Sequence, residues 1–187
     1  TFPGDLPKET VFTFCEEYEK AIEAAGGIDI QVLGIGQCGN IAMNEPGTQP
    51  NSSTRLVIMD NNSRVDAKSL FGNVAQVPTC AITLGIETIL KAKEVILVAF
   101  GQHKAGIVKQ AIEEVASAEC PASYLQLHKN ASIVLDLDAA TKLTRINHPW
   151  KVTNCEWTDQ LVRRAVVWLC EQTKKPILKL TNKDYND

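Results

Sequence analysis

The stretch that decides the fold is Ile28-Asp29-Ile30-Gln31-Val32-Leu33-Gly34-Ile35-Gly36-Gln37-Cys38-Gly39. Its first half, Ile28–Leu33, is a short run rich in β-branched residues, whose shape packs well on a pleated surface. The second half, Gly34 to Gly39, matches G-x-G-x-x-G directly after that strand, and Asp60 ends the next strand candidate. This is the outline of a dinucleotide site, in which glycines let the backbone approach a pyrophosphate at a helix N-terminus. Such a site needs a helix of several turns after the third glycine. Asn40–Ser53 instead carries Pro46, Gly47 and Pro50 among Asn, Ser and Thr, which leaves room for two turns at most. A nucleotide cofactor is therefore not expected. The loop can still present backbone N–H groups and short polar side chains at the C-terminal edge of a parallel sheet, where open α/β sheets bind ligands. Glu45 falls on that edge, stiffened by Pro46. A carboxylate there can act as a general acid or base, orient one, or bond amides of its own loop.

Outward from this loop, helical and strand signals alternate. Upstream, Val11, Phe14, Cys15, Tyr18, Ala21, Ile22 and Ala25 recur at helical spacing over Glu9–Ala25, until Gly26-Gly27 ends the pattern. Downstream, Arg55–Asp60 and Glu94–Phe100 read as strands. Lys104–Ala116 reads as a helix with Ile107, Val108, Ala111, Ile112 and Val115 on its apolar face. Ser132–Leu137 is a fourth strand, and Trp157–Glu171 is a last amphipathic helix. Strands that are apolar throughout, alternating with helices, indicate a mainly parallel sheet covered on both faces. The fold class is α/β, with residues 1–147 as its domain. After Asn147, His148-Pro149-Trp150 and Lys175-Pro176 punctuate a segment that closes with the polar Thr181–Asp187. Residues 148–187 are read as a helical C-terminal extension packed on that domain. Trp150, Trp157 and Trp168 are expected there as core or docking residues.

Composition narrows the function classes. The 187 residues are 44% hydrophobic and 22% charged, as in ordinary globular chains, and suffice for one sizeable core. The longest apolar run, Val95–Phe100, is far too short to span a bilayer, so no membrane partner is expected. With 19 basic and 22 acidic residues the net charge is −3, which disfavours a nucleic acid as partner. The six cysteines, at 15, 38, 80, 120, 155 and 170, contain no C-x-x-C pair. They are read as reduced thiols of a cytoplasmic protein, and no metal site is expected.

The glycine loop and the blocks after it resemble a known family. Gly34-Ile35-Gly36-Gln37-Cys38-Gly39-Asn40-Ile41-Ala42-Met43-Asn44-Glu45-Pro46 is similar to the signature G-x-G-x-D-G-H-I-A-F-N-E-P of the glucosamine-6-phosphate deaminase (isomerase) family. Thr54-Arg55, Asn62-Ser63-Arg64, Val77-Pro78 and Ala81-Ile82-Thr83-Leu84-Gly85 follow in the family's order. So do Gly101-Gln102-His103-Lys104-Ala105 and Pro121-Ala122-Ser123-Tyr124-Leu125-Gln126-Leu127-His128. The resemblance, which takes in galactosamine-6-phosphate isomerases, covers residues 9–145. It implies a Rossmann-like three-layer αβα fold. It also implies conversion of glucosamine 6-phosphate and water to fructose 6-phosphate and ammonia, with no cofactor.

Family members open the sugar ring with an imidazole held by an Asp and a Glu, and an imidazole both takes and gives a proton near neutral pH. Here the aspartate position is Cys38, the histidine position is Asn40, and Glu45 is kept. An asparagine amide does not transfer protons near pH 7. His103 and His128 are placed in other loops of the same sheet edge, in helix-end or hydrogen-bonding roles. By the resemblance, Lys104 and Arg64 would hold the substrate phosphate, while a further family arginine is replaced by Ser69. Arg55 matches an arginine used for an allosteric sugar phosphate, but Val57 stands where its basic companion would be, so that regulation is not expected.

Members also carry about half of their fold upstream, and Thr1–Thr10 does not match it. The chain is thus expected to be part of a hexosamine-6-phosphate deaminase/isomerase-type protein, inactive in isolation. Its expected partners are hexosamine 6-phosphate and the upstream half of the parent protein, and a homo-oligomer is compatible with the resemblance. The alternative is a non-catalytic relative that binds a sugar phosphate or a protein.

Overall fold

In the computed structural model, which describes residues 6, 7 and 9–185, the periodic segment after Thr10 folds as helix α1 (Val11–Ala24). It buries Val11 and Cys15 and stops where Gly26 and Gly27 both take a φ of 87°. Parts of the stretches Thr1–Thr10 and Thr181–Asp187 lie outside the described residues. Strand β1 (Ile30–Gly34) follows, then β2 (Arg55–Ile58), the short helices α2 (Asn61–Asp66) and α3 (Lys68–Phe71), and β3 (Cys80–Thr83). Helix α4 (Ile86–Leu90), β4 (Glu94–Ala99), α5 (Ala105–Glu113), β5 (Ala131–Leu135) and α6 (Leu137–Ala140) come next.

Strands β1, β4 and β5 form a parallel sheet in the order β1-β4-β5, with Leu33 beside Leu97 and Leu97 beside Ile133. Parallel pairing requires crossovers, and α4 and α5 lie on them. Leu33, Val95, Leu97 and Ala99 of the strands, Ile86 and Ile89 of α4, and Val108 and Ala111 of α5 make up the buried core. Each large aliphatic side chain among them contributes about 1.5–3 kcal/mol by leaving water. The fold class is the expected α/β with a mainly parallel sheet.

One strand departs from expectation. Arg55–Ile58 stays out of the parallel sheet and pairs antiparallel with Cys80–Thr83 in a separate two-stranded sheet. Its alternating burial suits a ribbon with one wet face, whereas a strand inside a parallel sheet is covered on both faces. Asp60 ends this strand by capping α2, its carboxylate accepting the Asn62 N–H at 2.8 Å.

Backbone contacts divide the chain between Lys142 and Leu143 into two units. The second contains α7 (Thr144–Asn147) and α8 (Asp159–Thr173), the latter opened by Thr158, whose hydroxyl accepts the Leu161 N–H. The Trp150 ring lies 6.0 Å from that of Trp157 and 6.1 Å from that of Trp168, so the three tryptophans form an aromatic cluster within this unit. Among the described residues no helix is long and apolar enough to cross a membrane.

Candidate functional site at the glycine loop

The loop after β1 closes on itself: the Gly36 N–H donates to the Asn40 carbonyl at 2.9 Å and the Gly39 N–H to the Gly36 carbonyl at 3.1 Å. Contacts demand both glycines. A Cβ on Gly36 would lie 1.9 Å from Oδ1 of Asn40. Gly39 has a φ of 79°, and its Cβ would meet Sγ of Cys120 at 2.5 Å. No helix starts here. Ile41 and Asn44 instead form an isolated antiparallel bridge, with Ala42 at a φ of 50°. The helix N-terminus that would hold a dinucleotide pyrophosphate is therefore not built.

The continuation of the loop is fastened from several sides. Asn44 is fully buried; its Nδ2 donates to the carbonyls of Leu84 at 2.8 Å and Ile41 at 3.1 Å, and its Oδ1 accepts from Nη1 of Arg55 at 2.9 Å. Arg55 also donates from Nη2 to the Thr48 hydroxyl at 3.3 Å. Burial lowers the pKa of its guanidinium, which still stays charged at any ordinary pH. The Met43 N–H donates to the Thr83 hydroxyl at 3.1 Å, and the Gly47 N–H to the Ala118 carbonyl at 2.8 Å. Between these ties sits Glu45, both of whose carboxylate oxygens are buried with no hydrogen-bond partner among the described residues. Buried polar atoms are nearly always bonded, so this carboxylate keeps unused capacity to accept hydrogen bonds.

Asn40 is 9% exposed, and its Nδ2 donates to the Ser63 hydroxyl at 3.4 Å. Sγ of Cys38 accepts from Nδ2 of Asn62 at 3.5 Å. Lys104 comes from the turn between β4 and α5; its half-buried ammonium donates to the Ile35 carbonyl at 2.8 Å, which ties that turn to the glycine loop. Cys38, Asn40, Glu45 and Lys104 thus all belong to, or touch, the loop at the end of β1.

Arg64 is engaged elsewhere. Its Nη2 donates to the carbonyls of Val74 and Val77, at 2.9 and 3.2 Å, while Nε is buried without a partner among the described residues. His103 follows β4 on the glycine-loop edge, but His128 does not share that edge. It accepts the Asn130 N–H on Nδ1 at 3.0 Å, which leaves Nε2 to donate to the Ala92 carbonyl at 2.7 Å. Ala92 and Asn130 precede β4 and β5, so this imidazole tethers the opposite, N-terminal ends of the strands. A groove of 610 Å³ that includes Glu19, Thr54 and Thr88 in its walls has no residue of the glycine loop in its lining. Sequence reasoning missed Asn44 and Arg55 as the fasteners of the Glu45 loop. The one sign was an amide standing directly after the apolar Ile41-Ala42-Met43.

Comparison with known proteins places these features. The family described as glucosamine-6-phosphate isomerases/6-phosphogluconolactonase matches residues 4–134. A glucosamine-6-phosphate deaminase-like protein of Bacteroides thetaiotaomicron is 54% identical over 184 residues, which are 98% of this chain and 28% of that protein. A glucosamine-6-phosphate deaminase of Bifidobacterium longum is 48% identical over 127 residues, 67% of this chain and 47% of that one. Among solved structures, a monomeric glucosamine-6-phosphate deaminase aligns with a TM-score of 0.69 at 36% identity, over 75% of this chain and 56% of its own. A 6-phosphogluconolactonase from Trypanosoma cruzi, with a TM-score of 0.56 at 20% identity, shares the fold. The chain spans about half the length of these deaminases and little more than a quarter of the Bacteroides protein. With the glycine loop and both halves of the Lys104 tether inside the matched segment, this chain belongs to the glucosamine-6-phosphate isomerase/6-phosphogluconolactonase family.

Proposed function

We propose that this chain is the Glu45- and Lys104-bearing half of a hexosamine-6-phosphate deaminase/isomerase-type domain, able to receive an amino-sugar phosphate but silent in deamination on its own. The observation that carries the reading is the carboxylate of Glu45, buried and unpartnered on a loop that Asn44, Arg55 and Thr83 hold in place. The amino group and hydroxyls of a hexosamine are the donors such a carboxylate lacks. Lys104, a point charge with three donors of which one serves the Ile35 carbonyl, suits a phosphate at the loop.

Ring opening needs a proton carrier. Asn40 stands at that position with its amide turned onto Ser63, and an amide does not titrate near neutrality. Loss of one general acid–base group costs about 10²–10⁴-fold in rate. The half of the domain that family deaminases carry beyond this chain's length would have to supply the rest of the site. Six free thiols fit a reducing, cytoplasmic setting. The test is ammonia release from glucosamine 6-phosphate by the chain. No ammonia above background is expected; turnover in the ordinary range of about 1–10³ s⁻¹ overturns the reading.

A further inference from the structure

Helix α1 sets Glu16, Glu19 and Glu23 on one face, at the three- and four-residue spacing that brings helical side chains into line. All three line the 610 Å³ groove, whose other walls come from the Gly26-Gly27-Ile28 turn, Ser53-Thr54 and α4. That turn precedes β1, so the groove lies at the N-terminal end of the strand, away from the glycine loop. Lys91 of α4 is paired with Glu87 at 2.9 Å, which leaves Lys20 alone against the three α1 carboxylates in the lining. Glu19 accepts the Thr54 N–H at 2.7 Å and the Thr88 hydroxyl at 2.6 Å, both on Oε1, so among the described residues Oε2 is uncommitted. Burial pushes this carboxyl up, but those hydrogen bonds hold its pKa below the usual glutamate value, and it is charged at neutral pH. Thr54 is 5% exposed, and its hydroxyl stands beside the same carboxylate, buried and with no hydrogen-bond partner among the described residues. Buried hydroxyls are nearly always bonded, so this one holds acceptor capacity in reserve.

We infer that this groove binds a linear aliphatic polyamine, its ammonium groups set along the Glu16–Glu19–Glu23 row and one of them held by Oε2 of Glu19 and Oγ1 of Thr54. An ammonium brings three donors and no acceptor, which matches a carboxylate oxygen and a hydroxyl oxygen that both lack a donor. The row selects the ligand. Along the helix axis its carboxylates are about 4.5 and 6 Å apart, the interval that short methylene spacers set between the nitrogens of a polyamine. Those methylenes lie against Ile22 and Ile28, which give the groove its apolar lining. A metal ion fits less well, since among the described residues no three His, Cys, Asp or Glu side chains are grouped to hold one. An anionic sugar phosphate is repelled by the same row. The inference therefore concerns a second site, and it stands or falls separately from the reading of Glu45.

The test titrates the chain with spermidine by calorimetry at low ionic strength, where exposed charges are least screened. Expected is saturable one-to-one binding that Glu19→Gln weakens about tenfold or more. The amide keeps an oxygen for the Thr54 N–H and the Thr88 hydroxyl, so the variant should fold. Thr54→Val, which removes the hydroxyl at nearly constant volume, should weaken binding about threefold or more. Glu23→Gln repeats the test at an exposed position if Glu19→Gln fails to fold. Glu17→Gln, exposed on the same helix but outside the groove, should change the affinity by less than about twofold. Absence of saturable binding, indifference to the groove substitutions, or a loss with Glu17→Gln as large as theirs overturns the inference.

Discussion

Nη1 of Arg55 lies 2.9 Å from Oδ1 of Asn44, the residue immediately before Glu45. Through this bond the first residue of β2 holds the loop that carries the candidate carboxylate. Arg55→Ala leaves a fully buried amide oxygen without its charged donor, and a loss of about 1–3 kcal/mol is expected. Arg55→Lys keeps the charge but not the fork that reaches Asn44 and Thr48 together, so it should fall between wild type and the alanine variant. Urea midpoints of the three proteins check the order.

The glycine loop closes because Asn40 occupies the space a side chain at position 36 would need. Gly36→Ala should therefore cost about 1–3 kcal/mol through overpacking. Removing the amide as well, in Gly36→Ala/Asn40→Ala, should recover part of that loss, with a coupling of about 0.5–3 kcal/mol in a double-mutant cycle. Strict additivity would show that the two residues do not share the space.

Acid stability has an identifiable contributor in Glu19. Its Oε1 accepts the Thr54 N–H at 2.7 Å and the Thr88 hydroxyl at 2.6 Å. Burial pushes this carboxyl up, but the hydrogen bonds from Thr54 and Thr88 outweigh it and hold the pKa below the usual glutamate value. A depressed folded-state pKa means that the contribution is complete above the unfolded glutamate range, about 4.3, and is lost as pH falls through the folded value. Urea midpoints followed from neutral to acid pH should fall less steeply for Glu19→Gln than for wild type, the two curves converging at the acid end. Parallel curves would remove Glu19 from the acid response.

The parts of the fold legible in the sequence were those with periodic signals. The helix ending at Gly26-Gly27 and the apolar run after Glu94 each bury one continuous stripe or face, and their patterns show it. The β2–β3 ribbon was not legible, because Cys80–Thr83 is four residues between Pro78 and Gly85, too short for a period to show. His128 was deducible from chain order, since a residue just before a strand lies at that strand's N-terminal end. Cys38, Asn40, Glu45 and Lys104 were legible as a group through the resemblance of their motifs. The burial of the Glu45 carboxylate was not, because it depends on Arg55, Thr83 and Ala118 reaching the loop from distant parts of the chain.

The central claim is that the carboxylate of Glu45 is kept buried and unpartnered for a ligand, at a cost to the folded chain. Glu45→Met, which replaces the carboxylate by an apolar chain of similar length, tests it through the free energy of unfolding in urea. A gain of about 1–3 kcal/mol over wild type is the expected result, because burying a polar group without a hydrogen bond costs that much. A loss of stability would show that the carboxylate holds the loop together within the protein, and would contradict the claim.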